Sequence, residues 1–462
     1  MPNTTAYLVL AAWPCVALVL FRRLPVERAL IWTLLGGYLV LPPLANFDLP
    51  LLPPLNKVLI PNLMALALCV FVLRDRLPPL PRSRLARLLI AMFVLGSIPT
   101  VLSNGDVILF RTGGLPGLRV QDVLSAAGTQ AILLLPYLLA RRYLCDEPAM
   151  RDLLLALVLG AVAYSVPALV EVGVGPMLNI WVYGFFQHDF EQMLRYGGYR
   201  PIVFLPHGIW LAFFVMTAVL GAASLLRYGT PDTRPRALFA LVWLAVVLVL
   251  CKTFGAIGYA LFGLPLVLFA SPALRVRIAL VLAVIAVVYP LLRGGGLVPV
   301  EAILAQAEAL DAERAASLRF RFENEEALLA HANERPVFGW GGWGRNLMYD
   351  PDTAELLTIP DGRWIIVFGV YGWLGFLAEF GLLALPLWLL WRGARAGAAV
   401  GPHAATVALI LALNMFDLLP NATLEPLTWL VAGAVLGHAE RIRAPASAAA
   451  AAPVTRQRRT VI

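Results

Sequence analysis

The sequence predicts an all-α fold: a polytopic transmembrane helix bundle of about 12–13 spans, with a large extracytoplasmic loop containing amphipathic helices. Three observations predict it. Of 462 residues, 60% are apolar and only 14% are charged, with a mean hydropathy of +0.79. A soluble domain carries about 25% charged residues, so this chain lacks the polar surface to cover a water-facing globule. The apolar residues fall in blocks of about 20 separated by short polar punctuation, the length that crosses a hydrocarbon core about 30 Å thick. Finally, the basic residues gather in alternate interblock loops. A chain in hydrocarbon must satisfy its own backbone, so the blocks read as helices.

The blocks lie at 5–21, 29–44, 57–73, 86–103, 122–140, 151–170, 203–226, 236–251, 254–270, 276–292, 365–391, 404–418 and 423–438. No positive charge precedes the first block and Arg22-Arg23 follow it, the reverse of a cleavable signal peptide, so it reads as a retained span. The break at 251–254 is very short, and the proline-rich stretch 42–56 reads as a possible re-entrant segment. The loops 21–28, 74–87, 141–151, 227–236, 271–277 and 392–403, with the C-terminal tail, hold 23 of the 36 Lys and Arg. The positive-inside rule makes them cytoplasmic, which turns the N-terminus and the loops 171–202 and 293–363 outward. The expected organisation is an N-terminal bundle over 1–292, a periplasmic loop over 293–363, C-terminal helices over 364–440 and a disordered cytoplasmic tail over 441–462. The four cysteines, Cys15, Cys69, Cys145 and Cys251, show no metal or disulfide spacing. The net charge of +8 is spread over loop ends with no basic stripe, which gives nucleic-acid binding no support.

The loop 293–363 alone has soluble character. Helical spacing runs over 301–318, with Ile303, Leu304, Ala307 and Leu310 on one stripe, and again over 321–334. Pro336 stops the second stretch, and Gly339-Trp340-Gly341-Gly342-Trp343-Gly344 forces a turn. Arg321, Glu325 and Leu328-Leu329 share a face of an amphipathic helix.

Outward cations run against the topological bias and so need another reason, for which capture of a phosphate or diphosphate is suited to arginine's planar fork. The candidates are Arg200, Lys252, Arg319 and Arg321 as diphosphate contacts, with His207, Arg335 and Arg363 as cavity residues. Lys252 reads two ways: a lysine snorkelling to the interface, or a cation fixed at the mouth of the bundle. Arg200, with Arg195, either anchors at the interface or lines the same mouth. His207 is either a hydrogen-bonded packing residue or, beside Pro206, part of a cavity. Arg319, Arg321, His331 and Arg335 equally fit a solvated helix laced with ion pairs. Asp361 either caps the next helix or accepts a proton over the cavity. The chain has no phosphate loop, dinucleotide fingerprint, metal-ligand cluster or Gly-x-Ser-x-Gly.

The order Arg321, a helical stretch to Arg335-Pro336, then Gly339-Trp340-Gly341 resembles the outer-loop signature of the O-antigen ligase and O-antigen polymerase superfamily. The glycine-rich start Phe368-Gly369-Val370-Tyr371-Gly372-Trp373-Leu374-Gly375 resembles the helix that follows it. Cys251-Lys252-Thr253 sits where the family has a short Ser-Arg-Gly element, and Arg200 precedes a span with a polar start, Pro206-His207-Gly208. The motifs cover about 200–260 and 319–376, on a matching hydrophobic architecture. The resemblance implies an enzyme of the bacterial inner membrane that transfers an undecaprenyl-diphosphate-linked glycan on the periplasmic face, without metal or cofactor. The acceptor is another lipid-linked glycan for polymerases and lipid A core for ligases. It also implies diphosphate contacts from Lys252, Arg200 and Arg321, and a base at Asp361 or His331. Two departures stand out: the ligases place a histidine where this chain has Asp361, and the short element carries lysine in place of arginine. An aspartate is intrinsically the weaker base, so the polymerase reading leads and the ligase is the alternative. A secondary transporter or flippase is the competing class, and its expected internal repeats with paired broken helices are not evident. A non-enzymatic scaffold for an export complex would leave the outward arginines unexplained.

Overall fold

The computed structural model describes residues 1–48, 53–310, 312–423 and 426–443. Of the tail expected to be disordered over 441–462, residues 441–442 are helical, and 444–462 lie outside the described residues, as does the middle of the proline-rich stretch at 49–52. The described chain is mostly helical. The first bundle runs through α1 (Thr4–Arg23), α2 (Val26–Val40), α3 (Leu59–Phe71), α4 (Arg84–Leu95), α5 (Ser97–Leu102), α6 (Val120–Leu133) and α7 (Leu135–Tyr143). It continues through α8 (Glu147–Val174), α9 (Leu178–Tyr183), α10 (Gly208–Tyr228), α11 (Arg234–Leu250), α12 (Phe254–Phe269) and α13 (Pro272–Gly294). The long loop contributes α14 (Val300–Leu310) and α15 (Ala312–Ala332). The chain then passes through α16 (Arg363–Arg395), α17 (Pro402–Asp417) and α18 (Pro426–Ile442). Three small antiparallel hairpins join some of them: β1–β2 (Asn46–Phe47 with Leu55–Asn56), β3–β4 (Ile108–Phe110 with Gly113–Leu115) and β5–β6 (Leu194–Arg195 with Gly198–Tyr199).

Each apolar block coincides with a helix or a broken pair, but seven helices among the described residues, not a dozen, are long and apolar enough to cross a membrane. The difference arises because several blocks close early: α3, α12 and α17 are apolar but have fewer than 18 residues. Two of the seven spans are bent: the block 86–103 breaks at Gly96 ahead of Pro99, and 122–140 breaks at Leu134 ahead of Pro136, since proline removes a backbone donor and crowds the preceding turn. The block expected from 203 begins at Gly208, with 200–207 running outside the helix. In the long loop α14 ends at Leu310 and α15 begins at Ala312, so α15 carries Arg319 and Arg321 in its interior.

Helix starts follow local chemistry. Asn3, Ser83, Asp146 and Ser271 cap α1, α4, α8 and α13 by accepting the backbone N–H three residues on. Helices α10, α17 and α18 are apolar and buried around most of their circumference, which places them at the centre of the bundle. Helices α1, α11, α12 and α13 keep large apolar side chains on their outer faces. The amphipathic face foreseen for α15 docks on α13 and α16. Glu325 accepts from Arg293 at 2.8 Å, Tyr289 at 3.0 Å and Trp364 Nε1 at 3.1 Å, beside buried Leu328 and Leu329.

The sharpest feature is in α16. Arg363 and Glu379 would lie about 24 Å apart along a straight helix, yet the guanidinium donates to both carboxylate oxygens at 2.7 and 2.8 Å. The helix therefore doubles back, at Gly372 with φ 63° and ψ −163°, a conformation open to glycine alone. The segment Pro336–Gly341 threads against this break. Trp340 and Gly341 donate to the carbonyls of Gly369 and Val370, while Trp373 and Leu374 donate to those of Pro336 and Val337. The freed backbone groups of the broken helix are thus satisfied by the loop.

Candidate anion site at one rim of the bundle

The site is built around the loop 200–207. Glu171, near the end of α8, accepts three backbone N–H groups: Val203 at 2.7 Å, Ile202 at 2.8 Å and Leu178 at 3.0 Å. Tyr164 Oη accepts from Phe204 N, Lys57 Nζ donates to Phe204 O, and Gln187 Nε2 donates to Val203 O and Leu205 O. Four side chains thus grip one short loop by its backbone and hold Val203 at φ 53°, which a β-branched residue rarely adopts.

Arg200 opens this loop. Its stem lies across Gly208, where a Cβ would stand 2.5 Å from Arg200 Cδ. The residue is 7% exposed, and its Nε has no hydrogen-bond partner. Burial, then the neighbouring charges of Arg195 and Arg321, push its guanidinium down to about 10. The same two charges reach His207, whose imidazole is pushed down to about 3 by burial first and then by Arg200, His188, Arg321 and Arg195. His207 Nδ1 accepts the Ile209 N–H at 3.0 Å, so the neutral ring carries its proton on Nε2 and acts there as a donor. The ring packs edge-on against His188, with centroids 4.5 Å apart.

Arg321 comes from α15, its Nε 3.1 Å from Asp361 Oδ2. Lys252 makes the corner between α11 and α12 at φ 49° and donates from Nζ to the carbonyl of Arg195 at 2.9 Å. It fastens the β5–β6 hairpin, passing so close to Gly198 that a Cβ there would stand 2.4 Å from Nζ. Arg195, Arg200, Arg321 and Lys252 are therefore gathered at one rim. Asp417, at the end of α17, also feels the charge of Arg321, and is held by Asn421 Nδ2 and Thr423 Oγ1 at 2.8 Å each and by the hydroxyl of Tyr259. One turn along α10 from His207 begins an apolar cavity of about 50 Å³, lined by Trp210, Phe213, Phe214, Tyr38 and Leu411 with Asn414 and Thr428 as polar points.

Other candidates lie elsewhere. Arg319 is exposed two residues from Arg321, about 200° around the helix, and faces away from the cluster. His331 is stacked on Trp340 at 4.3 Å, with Nε2 3.2 Å from Arg345 O and Nδ1 3.6 Å from Glu334. Arg335 covers Trp340 at 4.2 Å and donates to Ser103 O, Asn104 Oδ1 and Asp106. Arg335 thus clasps the long loop to the chain after α5, while the partners of His331 all lie within the loop. Arg363 forms the pair with Glu379 described above.

No family model matches this chain, and no curated protein matches it.

The residues that carry the sequence resemblance nevertheless serve one another physically. Pro336–Gly341 and Gly369–Leu374 are the two sides of the backbone lock at the α16 break. Sequence reasoning singled out neither Asp417 nor Glu171. Asp417 had a signal, as the lone charged residue in its apolar block. Glu171 had almost none, because an acid at the end of a span also reads as ordinary loop polarity. Chemically, several fixed cations beside a low-dielectric interior favour an anionic group carrying more than one charge.

Proposed function

We propose that this protein is a membrane-embedded glycosyltransferase that acts on an undecaprenyl-diphosphate-linked oligosaccharide at the periplasmic face of the bacterial inner membrane. The leading form is a polysaccharide or O-antigen polymerase; transfer to lipid A core is the ligase alternative. The observation that carries the reading is Arg200: a residue 7% exposed, its guanidinium Nε buried without a partner, beside Arg195 and Arg321. A buried cation lacking an acceptor is costly unless a ligand supplies one, and a diphosphate supplies several oxygens at once. The apolar cavity starting at Trp210 gives the first units of a prenyl chain an adjacent apolar surface.

In the proposed reaction an acceptor hydroxyl attacks the anomeric carbon with inversion, and the bond to the diphosphate oxygen breaks. Arg200, Arg195 and Arg321 stabilise the charge that collects on the leaving diphosphate. Lys252 holds the hairpin that carries Arg195. Asp361 takes the acceptor proton, with Arg321 drawn from it onto the diphosphate as substrate enters. His331 is the weaker candidate base, since both ring nitrogens face protein partners.

The broken α16 brings a transporter to mind, because transporters bind ions at unwound helices. Here the loop 336–341 occupies the freed backbone groups, which favours a structural role for the break. The test is deletion of the gene, complemented by wild type, Arg200→Ala or Arg321→Ala, with surface glycan resolved on gels. Both variants should insert at normal levels and lose activity by about 10²–10³-fold, the scale of a lost oxyanion donor. In the deletion, loss of long chains with single units retained identifies a polymerase, and loss of every attached unit a ligase. Normal glycan in both variants refutes the proposal.

A further inference from the structure

A second cationic feature lies at the C-terminal end of α16, and it does not depend on the glycan-transfer reading. Arg392 covers the indole of Trp388 at 4.9 Å, and Arg395 covers that of Trp391 at 5.4 Å, each pair spaced i, i+4 on the helix. With Ala396 they line an open groove of about 400 Å³. Arg443, just beyond α18, runs across the same turn: a Cβ on Gly393 would stand 3.1 Å from Arg443 Cγ. None of these three arginines is in an ion pair among the described residues, and Glu440, three residues before Arg443, is already committed to Arg141 at 2.7 Å.

The favourable interaction of a cation with a helix C-terminus accounts for one arginine there. It does not account for two guanidiniums each laid on an exposed or half-exposed indole, with a third beside them. Stacking on the ring fixes the guanidinium while leaving its N–H donors without protein acceptors. A phosphodiester is the acceptor whose geometry suits them. The end of a long apolar helix, marked by tryptophans, is where a bilayer presents that group.

We propose that this groove binds the phosphate headgroup of an anionic phospholipid. Phosphatidylglycerol and phosphatidylcholine serve as probes against the purified full-length protein, read by native mass spectrometry. Phosphatidylglycerol should be retained over phosphatidylcholine, and each arginine removed in Arg392→Ala and Arg395→Ala should weaken its retention about fivefold. Arg22→Ala/Arg23→Ala, at the end of α1, should leave retention unchanged. In the unaltered protein, brominated phosphatidylglycerol should quench tryptophan emission more than brominated phosphatidylcholine. Equal retention of the two lipids, equal quenching, or full retention in the doubly substituted Arg392/Arg395 protein overturns the proposal. Complete displacement by millimolar inorganic phosphate also overturns it, by making the groove a site for free anions.

Discussion

Arg363 and Glu379 show how much one ion pair holds in this protein. Glu379 is fully buried, and its cationic partner Arg363 folds back onto it from the start of the same helix. Removing the acid leaves an arginine with a quarter of its side chain exposed facing an apolar interior. Glu379→Ala should lower the stability of detergent-solubilised protein by about 3 kcal/mol, with Glu379→Gln less damaging, measured by thermal unfolding. An unchanged melting temperature for Glu379→Ala would show that the fold-back is held by the backbone lock alone. His207 gives a pH signature with a definite sign. Its folded imidazole titrates near 3, pushed down by burial and then by Arg200, His188, Arg321 and Arg195, against 6.5 for a free histidine. Between those values the unfolded chain binds a proton that the folded chain does not, so stability is lost as pH falls from 6.5 towards 3. His207→Asn should flatten that part of the stability profile. A profile identical to wild type would mean that another group governs it.

Two elements depend on backbone conformations that few residues tolerate. At Gly372 a Cβ would stand 2.4 Å from the Val337 carbonyl carbon, and at Gly339 one would stand 2.5 Å from that of Val370. Gly372→Ala should therefore cost about 3 kcal/mol or more and cut the monodisperse yield in size-exclusion chromatography. A normal yield with wild-type stability would contradict the packed lock. The β5–β6 hairpin turns through Tyr196 and Gly197, both at positive φ, and Lys252 fastens it through the Arg195 carbonyl. Lys252→Met should loosen this strap without unfolding the bundle. Limited trypsin digestion should then cut after Arg195 several-fold faster than in wild type, since cleavage tracks the opened population. Equal rates would assign the strap's stability to the hairpin itself. Sequence spacing marked a cation between two apolar blocks at 252, but a fastening role arises only from contact with a hairpin 57 residues earlier in the chain.

At the scale of the whole molecule, the proposed orientation follows from the asymmetry of Lys and Arg and has its own test. In a cysteine-free background, Asp352→Cys in the long loop should react with a membrane-impermeant thiol reagent in intact cells with a permeable outer layer. A cysteine at Arg76 should react only after lysis. The opposite pattern inverts the topology and removes the periplasmic placement of the arginine cluster.

The sequence by itself determined the helical class and the positions of the apolar blocks. These depend on composition and on runs of neighbouring residues, which folding does not rearrange. It also marked Arg200, Arg321 and Lys252 as cations on the minority side of the charge asymmetry. Tertiary structure alone decided that they meet, that Lys252 holds a strap, that Arg335 clasps the loop to the chain after α5, and that α16 turns back on itself. The physical reason is that each of these outcomes is a contact between side chains or backbones far apart in sequence. Hydropathy is blind to such contacts: it records what a segment is dissolved in, not which neighbour completes its hydrogen bonds.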